Sequence, residues 1–283
     1  MPNAETVSLR PVVDGFVGEI DGIDCASGLD ADAKTFLKTA HDTYPVLVLR
    51  GQALDTKAFM RFGSLFGPFE IDHHVPQYQD KEHPEVVYLN NRRDDGAQDP
   101  DALKRGNSWH ADSSYKERPC AHTVLYAMQI PSRGAGTHFA DMRRAYETLP
   151  QHLKDAIEGR EAKHKFSAGL GAGKFIPMTE EQEAMHPPVI HPMVRTHRPT
   201  GRKSLNVNPL HVYGIVGMDQ DEATPLLEAL FEHALNPDFQ YLHDYRIGDL
   251  VIWDQRSTWH KAEATYSMDE HRLLMRAKIA AAA

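Results

Sequence analysis

The stretch Trp109-His110-Ala111-Asp112, near the middle of the chain, is the most specific indication of the fold and its chemistry. Side chains alternate between the two faces of an extended strand, so His110 and Asp112 point the same way and can hold one metal ion together. A second histidine brought in by the fold, His260 near the end of the chain, would complete a set of two imidazoles and one carboxylate. That set covers one face of an octahedron and leaves the other positions open, as in non-haem Fe(II) oxygenases. The stretch therefore predicts a metal centre at which a reaction takes place.

A histidine and an acidic residue two positions apart also occur elsewhere in this chain. The sequence contains 17 histidines, and His83-Pro84-Glu85 has the same spacing. There a proline lies inside the triplet and a charged run precedes it, which favours a solvated loop entering a strand. Taken alone, the pair at 110 and 112 is also compatible with an ordinary histidine beside an aspartate. The assignment therefore depends on the sequence around and after it.

Several further motifs follow in a fixed order. They are WHADSSY at 109–115, GAGT at 134–137, FADMR at 139–143 and GDLVIWDQR at 248–256, ahead of His260. In order and spacing, from about Gly51 to Lys278, these motifs resemble the taurine dioxygenase/2,4-dichlorophenoxyacetate dioxygenase (TauD/TfdA) family. The resemblance implies a mainly β protein with flanking helices, a double-stranded β-helix (jelly roll) of cupin-like type. It also implies an enzyme that uses Fe(II), O2 and 2-oxoglutarate.

Length, charge and cysteine content are consistent with one domain of this kind. With 283 residues, 41% of them hydrophobic, the chain can bury a sizeable core, and we expect a single domain over residues 1–283. The net charge of -9 and the absence of a lysine and arginine run disfavour a nucleic-acid partner. Cys25 and Cys120 are too few for a disulfide framework and too far apart for a zinc motif. The sequence has neither a signal-peptide pattern nor a long apolar run, so we expect a cytoplasmic protein with no membrane partner.

Alternating helical and strand patterns run along the chain. Periodicity and capping residues predict helices over residues 30–38, 56–66, 142–148, 151–158 and 222–235. Apolar runs bounded by turn residues predict strands over 45–51, 85–89, 120–129, 189–196, 203–207, 250–253 and 272–278. The long charged segment 91–108 lies just before the metal motif, so we interpret it as a candidate lid, although long loops are often simply mobile.

Two arginines near the C-terminus indicate anion binding. Arg272 and Arg276 share one face of the predicted strand, and a buried guanidinium is unfavourable unless it meets an anion. From the pattern alone, that face could instead meet solvent or structural carboxylates. The resemblance implies that Arg272, assisted by the Thr137 hydroxyl, pairs with the C5 carboxylate of 2-oxoglutarate. It implies that Arg276 binds an anionic head group of the substrate, for which paired guanidinium nitrogens are well suited.

Other site residues are assigned by position. Asn107 lies close to a family asparagine that contacts 2-oxoglutarate, and Ser113 follows the metal aspartate at the rim of the pocket. His211 and His74 are further substrate-binding candidates. Where the taurine enzyme has a substrate histidine, this sequence has Asp72, which does not favour taurine as the substrate.

These residues together predict an Fe(II)- and 2-oxoglutarate-dependent dioxygenase. It would hydroxylate a C–H bond of a small anionic substrate, such as a sulfonate, an aryloxyalkanoate or another carboxylate, with release of succinate and CO2. If the hydroxylated carbon carries oxygen, nitrogen or sulfur, that bond could then break. A halogenase would lack the carboxylate of Asp112. A cupin-like isomerase or hydrolase would not need Arg272 and Thr137, and neither would a non-enzymatic metal-binding protein. Homo-oligomers are common in the family, but no interface can be identified from the sequence.

Overall fold

The fold is that of a computed structural model, which describes residues 7–73, 75–171 and 179–281. The strands are β1 (Ser8–Val13), β2 (Val17–Asp21), β3 (Val46–Leu49), β4 (Phe69–Glu70), β5 (Val86–Asn90), β6 (Cys120–Gln129), β7 (Thr137–Asp141), β8 (Glu161–His164), β9 (Val189–Pro192), β10 (Val194–Thr196), β11 (Lys203–Leu205), β12 (Val212–Ile215), β13 (Gln240–His243), β14 (Leu250–Asp254), β15 (Thr258–Ala262) and β16 (Leu273–Ala280). The helices are α1 (Ala31–Thr43), α2 (Thr56–Gly63), α3 (Met142–Glu147), α4 (Gln151–Ile157), α5 (Glu180–Met185) and α6 (Gln220–Ala234).

The strands form one large sheet and three smaller ones. The large sheet has eight strands in the order β1-β2-β3-β14-β6-β16-β4, with β5 also paired to β16. A three-stranded sheet, β13-β7-β15, packs against it, because Phe139 of β7 contacts Trp253 of β14 with ring centroids 5.3 Å apart. The remaining sheets are β12-β8-β9 and the hairpin β10-β11. This is the predicted jelly roll with flanking helices.

Strand β3 shows why the large sheet is apolar on both faces. Leu47 and Leu49 pack on one face with Leu37 of α1 and Phe59 of α2. Val46 and Val48 pack on the other face, with residues of the sheet β13-β7-β15. Because side chains alternate along a strand, a sheet covered by helices on one side and by a second sheet on the other has continuous apolar strands. The metal motif and the two C-terminal arginines lie on the side that faces the second sheet.

Most predicted elements are confirmed within a few residues, and the differences have local causes. Helix α2 ends at Gly63 rather than at residue 66. The predicted strand 189–196 is divided at Met193, whose backbone N–H bonds to Arg160 instead, so β9 pairs with β8 and β10 with β11. Strand β16 begins one residue after Arg272. Among the described helices, α6 is the longest at 15 residues, and none is long and apolar enough to cross a membrane.

Candidate metal centre

Three predicted metal ligands come together between the two sheets. The backbone of His110 exchanges two hydrogen bonds with that of His260 on β15, at N···O distances of 3.0 and 2.8 Å. Asp112 follows two residues later, and one ligand atom of each of the three residues lies within 4.8 Å of the others. All three side chains are buried. The backbone pairing therefore brings the two histidines, 150 positions apart, to the same point as the aspartate.

The carboxylate of Asp112 is held on one side only. Its Oδ2 atom accepts hydrogen bonds from Thr123 Oγ1 and Gln255 Nε2, both at 2.8 Å. The backbone N–H of Asp112 donates to Gln255 Oε1, also at 2.8 Å. Oδ1 lies 3.5 Å from His110 Nε2, and Oδ2 lies 3.8 Å from His260 Nε2. Sequence reasoning missed Thr123 and Gln255 as site residues, although Gln255 lies in the GDLVIWDQR motif.

The histidine His110 is also oriented from behind. Its Nδ1 lies 2.8 Å from the carbonyl oxygen of Ser108, which can only accept, so Nδ1 carries the proton. The lone pair of Nε2 then faces Asp112 and His260. Metal-binding histidines are commonly oriented in this way by a second hydrogen bond, which fixes the tautomer.

Charge and burial keep Asp112 and His260 in their metal-binding forms. Burial alone would raise the pKa of Asp112, but the nearby Lys278, His260 and His110 outweigh it, and the pKa lies well below its ordinary value. Burial and the neighbouring His110 hold the pKa of His260 well below its ordinary value. A carboxylate and a neutral imidazole are the forms that bind a divalent cation.

The centre opens into a cavity of about 460 Å³. Besides the three ligands, the cavity is lined by the predicted site residues Ser113, Thr137, His211, Arg272 and Arg276. Asp101, Ala102, Arg105 and Gly106 from the candidate lid segment also line it. The predicted cosubstrate and substrate residues are thus next to the metal ligands.

Arg272 is a partly buried cation without an anionic partner in the described part of the chain. Burial lowers its pKa, its Nε atom has no hydrogen-bond partner, and no carboxylate lies within ion-pair distance. Its guanidinium instead lies over the ring of Tyr266, with Cζ 5.6 Å from the ring centroid. The hydroxyl of Thr137 lies 3.2 Å from that of Tyr245. An unpaired buried guanidinium is costly, so this end of the cavity is suited to a carboxylate.

Arg276, in contrast, already has a carboxylate partner. Its Nη2 donates to Asp72 Oδ2 at 2.6 Å, and Lys278 Nζ forms an ion pair with the same oxygen at 2.9 Å. The pairing of β16 with β4 accounts for this contact, because Lys278 lies opposite Glu70 and Asp72 follows two residues after the end of β4. Lys278 was not predicted as a site residue, yet it lines the cavity.

The remaining predicted residues divide into three groups. Ser113 and His211 are buried and line the cavity, and His211 Nδ1 accepts a hydrogen bond from the Ser167 N–H at 3.1 Å. Asn107 is not brought to the site, because its side chain is exposed and donates to the Leu103 carbonyl oxygen at 3.2 Å. His74 lies outside the described residues.

Aromatic rings line the cavity beside the metal ligands, a feature that the sequence analysis missed. Tyr115 contacts Phe166 and His211 edge to face, with ring centroids 4.8 and 4.9 Å apart. His211 in turn lies 6.3 Å from His110, between ring centroids. These rings come from three different segments, so only the fold brings them together.

Comparison with known proteins agrees with this site. The sequence profile described as "Taurine catabolism dioxygenase TauD, TfdA family" matches residues 8–278. An alpha-ketoglutarate-dependent 2,4-dichlorophenoxyacetate dioxygenase from Burkholderia sp. (strain RASC) is 33% identical over 93% of this chain and 90% of its own length. An alkylsulfatase from Acinetobacter baylyi is 30% identical over 98% of this chain and 86% of its own length.

A solved structure shows the same fold. The crystal structure of AAD-2 in complex with Mn(II) and N-oxalylglycine is 31% identical in sequence, with a TM-score of 0.85 over 98% of each chain. The chain therefore belongs to the TauD, TfdA family and is a 2-oxoglutarate-dependent non-haem iron dioxygenase.

Proposed function

We propose that His110, Asp112 and His260 hold Fe(II), and that Arg272 and Thr137 bind the distal carboxylate of 2-oxoglutarate. The guanidinium of Arg272, which lines the cavity of the three ligands with its buried Nε unsatisfied and no ion-pair partner in the described residues, carries this proposal. A non-redox metalloenzyme would have no use for such a cation. When bound, the iron, 2-oxoglutarate and O2 supply the oxidising power to hydroxylate a C–H bond, with release of succinate and CO2.

The protein's own contribution is orientation and exclusion of water. Gln255 and Thr123 occupy Oδ2 of Asp112, which leaves Oδ1 for the metal. The Ser108 carbonyl keeps the free lone pair of His110 on Nε2. Because these supporting groups are buried, the ligands are positioned before the metal binds.

At the other end of the cavity, we propose that Arg276 binds a small organic acid, with Ser113 and His211 on the cavity wall. A sulfonate, an aryloxyalkanoate or another carboxylate would fit, and the relatives named above act on an aryloxyalkanoate and on alkyl sulfates. The aromatic rings around Tyr115 would contact the organic part of the substrate. Residues of segment 91–108 line the same cavity, so this segment would cover the bound substrate. A cytoplasmic location, where 2-oxoglutarate is supplied, belongs to the same proposal.

One spectroscopic experiment tests the cosubstrate assignment. Fe(II) and 2-oxoglutarate are added anaerobically to the metal-free protein, and we expect the visible charge-transfer band of the iron chelate. His110→Ala should abolish the band, whereas the control His83→Ala, which changes the other His-x-acid triplet, should retain it. Absence of the band in the wild type, or its persistence in His110→Ala, would contradict the proposal. Succinate release with a panel of organic acids then identifies the substrate.

A further inference from the structure

The substrate end of the cavity contains two cations that share one carboxylate. Arg276 and Lys278, two residues apart on β16, project from the same face of the strand, and both form ion pairs with Oδ2 of Asp72, at 2.6 and 2.9 Å. All three residues line the cavity, and the side chains of Asp72 and Lys278 are 8 and 7% exposed. The side chain of Arg276 is 18% exposed, so the group is a largely buried triplet of charges and not an isolated arginine.

The buried ammonium of Lys278 is held in its charged form. Burial opposes the charge, but the carboxylates of Asp72 and Asp112 outweigh it and raise the pKa of Lys278 above its ordinary value. The triplet therefore carries one net positive charge. Without Lys278, Asp72 and Arg276 would form a neutral pair.

The rest of the occupied centre contributes no net charge. On the proposed function, the charges of four groups in this centre sum to zero. The two positive charges of Fe(II) and the one of Arg272 balance the negative charge of Asp112 and the two negative charges of 2-oxoglutarate. The single positive charge of the triplet is then the one left for the substrate to neutralise. A buried uncompensated charge is costly, so one negative charge on the substrate is favoured and a cationic group is disfavoured.

We propose that Lys278 is a specificity-determining residue, which selects a substrate with a single negative charge by sharing Asp72 with Arg276. This inference rests on the proposed function, since the charge of the centre includes iron and 2-oxoglutarate. Lys278 contributes by leaving the charge of Arg276 only partly neutralised by Asp72. An ammonium group on the substrate would approach two cations already bound to the same carboxylate oxygen, so zwitterionic acids such as taurine are poor substrates.

Binding to the protein loaded with Mn(II) and 2-oxoglutarate tests this directly. Calorimetry compares three anions with uncharged counterparts of similar shape: 2,4-dichlorophenoxyacetate and its amide, 2-phenoxypropionate and its amide, and hexyl sulfate and hexanol. The wild type should prefer at least one anion over its counterpart. Lys278→Met should reduce that preference by roughly tenfold to a hundredfold, as expected for removing a charge several ångströms away in a partly buried site. The double variant Asp72→Asn with Lys278→Met restores one net positive charge and should restore the preference.

Controls separate this inference from its alternatives. Lys116→Met removes a lysine that pairs with Glu70 at 3.0 Å but does not line the cavity, and it should leave the preference unchanged. If Lys278→Met does not fold, Asp72→Asn tests the proposal in its place. Removing the Asp72 carboxylate raises the net charge of the triplet from one to two positive charges, so the preference for the anion should become stronger. An unchanged preference in Lys278→Met or in Asp72→Asn overturns the proposal, as does a wild type that prefers none of the three anions. Failure to bind 2-oxoglutarate in the same titrations would instead contradict the proposed function.

Discussion

Replacing Arg272 by methionine should raise the stability of the ligand-free protein and lower the stability of the protein with its cosubstrate bound. In the described part of the chain, the Arg272 side chain is partly buried, its buried Nε atom has no hydrogen-bond partner and no carboxylate pairs with it. The effective desolvation cost of such a charge is several kcal/mol, and methionine fills similar space without it. Even after discounting for stacking on Tyr266, we expect Arg272→Met to stabilise the ligand-free protein by about 1–3 kcal/mol. For a chain of this size, each kcal/mol raises Tm by about 2–4 °C.

With 2-oxoglutarate present, the same substitution should lower the stability of the protein instead of raising it. The wild type gains the ion pair between Arg272 and the distal carboxylate, whereas the variant buries that carboxylate without a partner. Loss of one member of a buried charge pair costs about 2–5 kcal/mol, or roughly thirtyfold to several-thousandfold in affinity. The ligand-induced rise in Tm should therefore be large in the wild type and small in the variant.

Thermal unfolding with and without 2-oxoglutarate, in the presence of Mn(II), measures both effects. Arg50→Met is the matched control, since Arg50 bonds to Glu19 at 3.0 Å and pairs with Asp249. That variant should be less stable than the wild type but keep the full cosubstrate shift. The reasoning is refuted if Arg272→Met lowers Tm without ligand and retains the full shift, because the guanidinium would then be structural.

Three further substitutions test the supporting contacts. Gln255→Leu removes two hydrogen bonds to Asp112 and should weaken Mn(II) binding by about 10–100-fold in a metal titration, and wild-type affinity would show that Thr123 alone positions the carboxylate. Thr137→Val should weaken 2-oxoglutarate binding by about 1 kcal/mol, measured by the same calorimetry, and a loss as large as that of Arg272→Met would contradict its assisting role. Arg276→Lys should raise the KM for the acid substrate more than that for 2-oxoglutarate, because an ammonium keeps the charge but loses the two-nitrogen geometry; the reverse order would move Arg276 to the cosubstrate.

The parts of the site that were predictable from sequence are those set by local geometry. His110 and Asp112 lie two residues apart on an extended segment, so their common orientation follows from the strand repeat. Arg272 and Arg276 share a face for the same reason, and both line the cavity. His260 was assigned through its motif, and the backbone pairing with His110 accounts for the proximity of the two rings.

What could not be predicted depends on register between distant strands. Asp72 meets Arg276 and Lys278 because β4 pairs with the far end of β16, and nothing local to either strand encodes that alignment. Asn107 is the opposite case, since it is close to the metal motif in sequence. Its loop turns the side chain to solvent, where it bonds to Leu103.

Strand β16 relates the two proposed anion-binding residues of the cavity, Arg272 just before the strand and Arg276 within it. Arg272 and Arg276 are four positions apart, which corresponds to roughly 13 Å along a strand. Because β16 pairs with both β6 and β5 beside Arg276, that arginine cannot shift along the strand without breaking the ladder, and the backbone of Arg272 is bonded to Asn91 just before the strand begins. The separation of the two anchors is therefore fixed. On our proposal, substrate choice then depends on the charges around Arg276, and in this chain those are the charges of Asp72 and Lys278.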